Sequence, residues 1–186
     1  MGKSWLRSAL MLAMAACLGG CAAFASMPVG NSAVPQPAKT VELDRYLGRW
    51  YELYRYDAPF QKGCEAVVAD YSRNQDGSIR VLNSCRKDSL DGPVKTSTSR
   101  AKIADAATGA KLKVSFFGPF YGDYWVLDHD ADYQWAIVGE PSGRYLWILS
   151  RTPSPAEERI AMLRRRAEEL GYDWRLVRQT RQPATR

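Results

Sequence analysis

His129 is the only histidine in the chain, and it stands in DHDADY among Asp128, Asp130 and Asp132. An imidazole could serve as a general base, and alternating aspartates could hold a cation. The spacing lacks the glycine and the distal glutamate of a calcium loop, so the stretch reads as a solvent-exposed acidic turn. Neither a G-X-S-X-G elbow nor an H-E-X-X-H pair occurs. One histidine and four cysteines give thin material for a zinc site. No catalytic residue, metal ligand set or cofactor is expected. The residues left to account for are cysteines and aromatics. Cys64 and Cys85 flank the turn NQDG, and YLGRWYELYRYD, residues 46–57, crowds Trp50, Tyr51, Tyr54 and Tyr56 into one stretch.

The N-terminus decides what the cysteines can do. MGKSWLRS is basic, and ALMLAMAACLGG is an apolar run too short to cross a bilayer comfortably. LGGC resembles the lipobox of bacterial lipoproteins. That resemblance implies a signal peptide over 1–20, cleavage before Cys21 and diacylglycerol on the Cys21 thiol. A secretion signal cut near Ala25 is the alternative. Ala22 after the cysteine implies sorting to the outer membrane, with Cys21 as the membrane contact and several acyl chains as a durable anchor. Residues 21–40 are small, polar and proline-bearing, and read as a flexible tether. An exported compartment is oxidising, so Cys64 and Cys85 are expected to pair. A free-thiol enzyme is the competing reading.

The elements that must position these residues are short strands separated by turn signals. They fall at 49–57, 64–73, 78–86, 95–104, 111–117, 123–128, 133–140 and 144–151. Regular spacing of this kind predicts an all-β antiparallel meander closed into a barrel, or a sandwich. TPSPAEER predicts a helix start with a Thr or Ser cap. Ile160, Leu163, Ala167 and Leu170 then recur at helical spacing, and Gly171 ends the run. Residues 174–178 suit a last short strand, and 181–186 a disordered tail. The net charge of +6 includes Lys3 and Arg7 of the N-terminal segment, too little excess to indicate nucleic acid. Arg164–Arg166 read as a solvated helix face balanced by Glu168 and Glu169.

YLGRWYEL resembles the Gly-X-Trp motif of the lipocalin family. ILSRTP, residues 148–153, is similar to that family's third motif, and DHDADYQWAIV to its second. KVSFFGPFYGDYWVLD and YLWILSRTP bring the chain close to the family's bacterial outer-membrane members. The resemblance spans roughly residues 40–180. It implies an eight-stranded antiparallel up-and-down β-barrel with one C-terminal α-helix outside. Gly48, Trp50 and Arg151 would close one end, the guanidinium lying over the indole. It also implies a lipid cargo, a fatty acid or lysophospholipid, held for envelope maintenance, especially under stress. The barrel would face the periplasm, and a homodimer is among the assemblies found in the family. An enzyme of the same fold acting on a bound hydrophobic substrate is the rival, and a filled barrel a second one.

The parity of Trp50 carries Glu52, Tyr54 and Tyr56 inward. Trp147 shares the parity of Arg151, and Val114 and Phe116 share one apolar face. Tyr121 precedes the sixth strand near the cavity by resemblance, and Trp125 lies within that strand. Glu52, Tyr54, Tyr56, Val114, Phe116, Tyr121, Trp125 and Trp147 are the candidate ligand contacts.

Overall fold

The computed structural model describes residues 27–184, apart from Gly118 and the side chains of Phe116 and Phe117. The expected signal peptide, Cys21 and the side chain of Phe116 lie outside the described residues. Eight strands form the barrel. They are β1 (Gly48–Tyr56), β2 (Cys64–Arg73), β3 (Ile79–Lys87), β4 (Val94–Ile103), β5 (Lys111–Phe117), β6 (Phe120–His129), β7 (Trp135–Gly139) and β8 (Leu146–Ser150). Each pairs antiparallel with the next, and β8 returns to β1, which also pairs with β2. Closure pairs the first strand with the last in a meander whose connections are short. A ninth strand, β9 (Val177–Gln179), joins the upper part of β1 from outside.

A short helix, α1 (Leu43–Tyr46), precedes β1 and plugs the lower end with Leu43 and Tyr46. The long helix α2 (Glu157–Glu169) buries Leu163 and Ala167 on the outer face of the barrel with Leu127, Ile137, Leu146 and Ile148. Its N-cap is Ala156, without a side-chain bond, not the Thr or Ser expected. Glu157 and Glu158 in the first turn complement the helix dipole there. Gly171 follows the helix at φ +93°, a conformation that favours glycine.

β-Bulges overturn part of the strand parity. Between Glu52 and Tyr54 the pairing of β1 with β8 slips. An extra residue at a bulge reverses which side chains face inward beyond it. Trp50 and Glu52 line the cavity; past the bulge Arg55 stands opposite Trp147, itself a cavity residue. Tyr54 and Tyr56, expected inside, pack outside with Trp174 and Tyr172. Trp125 also belongs to the outer layer, with Lys111 Nζ 4.6 Å from its ring centroid, because Tyr124 and Val126 take the inward positions.

Three segments expected to be loose or exposed are built in. Residues 27–40 run along the barrel. The amides of Gly30 and Asn31 donate to Gly143 O at 2.9 and 3.2 Å, and Asn31 Nδ2 donates to Leu170 O at 2.8 Å. The expected flexible tether is therefore docked from Met27 onward, because its backbone finds a partner in the β7–β8 turn and the Asn31 side chain finds one at the C-terminal end of α2. At the other end, Arg181 N donates to Glu65 Oε2, and Gln182 Nε2 to the carbonyls of Glu52 and Val67. Those bonds hold the start of the expected tail in the gap where β1 leaves β2. His129 is 5% exposed rather than solvated. Its ring nitrogens face the carbonyls of Asp130 and Thr40, and the ring stacks on Tyr133.

Asp128, beside it, joins strap, barrel and helix. Lys39 Nζ lies 2.7 Å from one carboxylate oxygen and Arg166 Nε 2.6 Å from the other. Burial pushes the carboxyl pKa up, but the bonds from Lys39, Arg166 and the His129 amide hold it below its ordinary value. A carboxylate with a depressed folded pKa stabilises the fold above its unfolded value of about 4. That contribution is lost as pH falls from about 4 through the lower folded pKa. Asp128→Asn should therefore flatten the dependence of Tm on pH below about 5. Equal acid slopes for the two proteins in thermal melts would rule the cluster out as a contributor.

Candidate functional site

The barrel encloses a cavity of about 940 Å³, near the top of the roughly 300–1,000 Å³ range of small-molecule sites. Trp50 is its floor and is fully buried. Trp50 Nε1 donates to Tyr46 O at 2.8 Å, which fixes the ring. Beneath it, Arg151 Cζ lies 3.7 Å from the indole centroid. The guanidinium donates to the carbonyls of Arg45, Leu47 and Arg49 at 2.9, 2.9 and 2.7 Å, and through Nε to Tyr133 O. These are the orphan carbonyls of α1 and the entry to β1, so one cation caps a helix end and seals the barrel. Gly48 sits at φ +90°, and a Cβ there would come 3.4 Å from Arg151 Nη1. The positive φ is what calls for glycine, since 3.4 Å is an ordinary contact distance.

Above the floor, Tyr124 shares hydroxyl hydrogen bonds with Tyr46 at 2.8 Å and Tyr71 at 2.9 Å. Burial pushes the Tyr71 pKa up to about 12 and those of Tyr46 and Tyr124 well above their ordinary value. The cluster offers neutral hydroxyls, not a tyrosinate base. From Tyr124 an aromatic wall climbs to the mouth. Trp147 stacks on Tyr124 and on Tyr145, 6.4 and 5.5 Å between centroids, and Tyr145 stacks on Phe60. Trp147 Nε1 donates to Gln61 Oε1 at 2.8 Å, and Gln61 Nε2 donates to Glu52 Oε2 at 2.8 Å. The other oxygen of Glu52 accepts from Arg55 at 2.7 Å and from Thr180. Both carboxylate oxygens are therefore engaged, and Glu52 borders the cavity as the anchor of its wall. Facing the aromatic wall are the polar side chains of β3 and β4 that share the parity of buried Val81: Asn83, Ser97 and Ser99, with Lys95 higher up. Phe120 and Tyr121, 80% and 40% exposed, stand at the mouth.

Of the predicted contacts, Glu52, Val114, Tyr121 and Trp147 line the cavity, whereas Tyr54, Tyr56 and Trp125 do not. Gln61, Tyr71, Tyr124 and Tyr145 also line it and were missed. Tyr124 stands next to the predicted Trp125, so strict alternation through Val126 was the signal that could have found it. Gln61 lies in the turn Pro59–Gln61 and carried no periodicity at all.

Cys64 and Cys85 form a disulfide, with 5.4 Å between their Cα atoms. In the ladder Cys64 stands opposite Lys87, and the bulge between Glu65 and Val68 lets the bridge run diagonally. It takes the thiol away from a cysteine-enzyme mechanism among the described residues. No group of three or more His, Cys, Asp or Glu side chains that could hold a metal occurs among them either.

The family model for the lipocalin-like domain matches residues 41–182. The chain belongs to the lipocalin family. This lipocalin is 36% identical over 169 residues to the outer membrane lipoprotein Blc of Vibrio cholerae, covering 90% of this chain and 94% of that one. It is 43% identical over 143 residues to the outer membrane lipoprotein Blc of Escherichia coli, covering 74% and 80%. It is 41% identical over 155 residues to temperature-induced lipocalin-1 of Arabidopsis thaliana, covering 79% and 82%. Among solved structures it is similar to insecticyanin of the tobacco hornworm Manduca sexta, with a TM-score of 0.65, 19% identity and coverage of 83% and 87%. That last likeness shows the shared fold.

Proposed function

We propose that this lipocalin is a lipid carrier anchored to the outer membrane through acylated Cys21, with its barrel in the periplasm. The cargo is a single-chain lipid, a fatty acid or lysophospholipid, stored or moved for envelope maintenance under stress. The observation that carries this reading is the cavity itself. One wall is a continuous aromatic stack from Tyr124 through Trp147 and Tyr145 to Phe60, and the facing wall is hydroxylic. An acyl chain would lie along the aromatic wall, each buried methylene contributing about 0.8 kcal/mol before the costs of ordering. Its polar end would stay near the hydroxylic wall and Lys95. The relatives named outer membrane lipoproteins support the location.

The test uses the chain carrying Cys21→Ser, titrated with lysophospholipid, palmitate and retinol while Trp fluorescence is followed. Saturable one-to-one quenching is expected, strongest for the single-chain lipids. Trp147→Ala should loosen their Kd by about tenfold, the loss of one well-packed aromatic contact. A flat response from a folded, lipid-free sample would sink the carrier reading and leave a barrel filled by its own side chains.

A further inference from the structure

The outer face of the sheet carries three residues, Arg80, Arg100 and Ser115, that do not line the cavity, beside Tyr121 of its mouth. Arg80 of β3 and Arg100 of β4 stand directly opposite each other in the ladder, both exposed. Arg100 in turn stands opposite Ser115 of β5. Like charges facing each other across a ladder are destabilising. Asp76 pairs with Arg100 and relieves half of that cost. Arg80 has no ion-pair partner among the described residues. Ser115 is 7% exposed, yet its hydroxyl has no hydrogen-bond partner among the described residues, a costly state for a buried donor. Arg80, Arg100 and Ser115 share an outward cleft of about 510 Å³. Tyr121 forms its side, and Lys102 lies over that ring with Nζ 4.6 Å from the centroid.

We propose that this cleft is a phosphate-binding site, formed by the Arg80 and Arg100 guanidinia with the Ser115 hydroxyl at its base. A phosphate between the two guanidinia would turn a repulsive pair into a bridged one. Its tetrahedral oxygens accept from both planar forks at once, which a monovalent anion of one oxygen cannot do. The Ser115 hydroxyl would gain the acceptor it lacks, and Lys102 adds positive potential at the edge. The ligand is a phosphate monoester or diester. It lies outside the barrel, so it is separate from the cavity cargo.

The experiment uses the chain carrying Cys21→Ser. Calorimetric titration with glycerol 3-phosphate probes a free phosphate. Co-sedimentation with phosphatidylglycerol vesicles, against digalactosyldiacylglycerol vesicles that carry no phosphate, probes a membrane headgroup. Saturable binding in either arm is expected, weakened about tenfold by Arg80→Gln, as for loss of a charge-assisted bond. Ser115→Ala should weaken it too while leaving Tm unchanged or higher, because it deletes an unpartnered buried hydroxyl. Neither variant should alter lipid quenching in the cavity, so this site and the carrier reading fail separately. Binding to glycerol 3-phosphate identifies a soluble phosphate as sufficient; binding to vesicles alone identifies the lipid headgroup. No binding in either arm, or binding indifferent to both substitutions, overturns the proposal.

Discussion

Trp50→Ala should lower the unfolding free energy by about 3–5 kcal/mol, as for other buried aromatic truncations. The indole is fully buried, and its loss opens the barrel floor. Arg151 stays behind with its carbonyl bonds but without the ring it covers. That contact adds roughly 1–2 kcal/mol when desolvated. In a chain of this length the combined loss should shift Tm down by roughly 10 °C or more. Trp50→Phe keeps a ring over the guanidinium and should recover much of the difference. Denaturant unfolding of both variants checks this. A Trp50→Ala protein within about 1 kcal/mol of the parent would show that the floor does not hold the barrel closed.

Glu52→Ala should cost a similar amount by a different route. Arg55 is fully buried, and Glu52 is its one carboxylate at hydrogen-bond distance among the described residues. Asp57 lies 3.5 Å from Arg55 Nε but is largely exposed. Removing one partner of a buried ion pair leaves an uncompensated charge, at roughly 3–5 kcal/mol. Replacing both, as Glu52→Gln with Arg55→Met, should give back a large part, because a matched neutral pair has no charge to desolvate. The single substitution should also reach the ligand. Gln61 would lose the acceptor that orients it, and Trp147 would lose the fixed position of its own acceptor. Weaker lipid quenching is therefore expected in Glu52→Ala even where the protein remains folded. A double variant no more stable than the single would show that packing, and not the buried charge, sets the cost.

The two networks share a design. Each ties strand ends that are distant in sequence through a cation donating to several oxygens. Arg151 gathers the carbonyls of α1 and β1 at the closed end. Arg55 gathers Glu52, Thr180 and the Cys64 carbonyl near the open end. Between them lies the cavity, so the side chains that seal the barrel also determine its length.

Much of this was set by the sequence on its own. Alternation of apolar and polar residues, cut by NQDG and PSGR turns, specified eight strands, because a one-sided sheet must repeat every second residue. YLGRW and ILSRT implied the floor through their resemblance to lipocalin motifs, which place an indole and a guanidinium together at the closed end. Helical spacing of Leu163 and Ala167 specified the outer helix. The tertiary structure alone decided which way the upper half of β1 faces. A bulge after Glu52 sends Tyr54 and Tyr56 outward and brings Arg55 in, and no local residue pattern announces an added residue in one strand. It also decided that His129 is buried, because Thr40 of a segment far away in sequence covers it. Gln61 entered the cavity for the same reason: only the closed barrel brings the turn after β1 against Trp147 of β8. Local periodicity reports which residues can share a face; register and closure report which face, and those depend on partners that the local sequence does not contain.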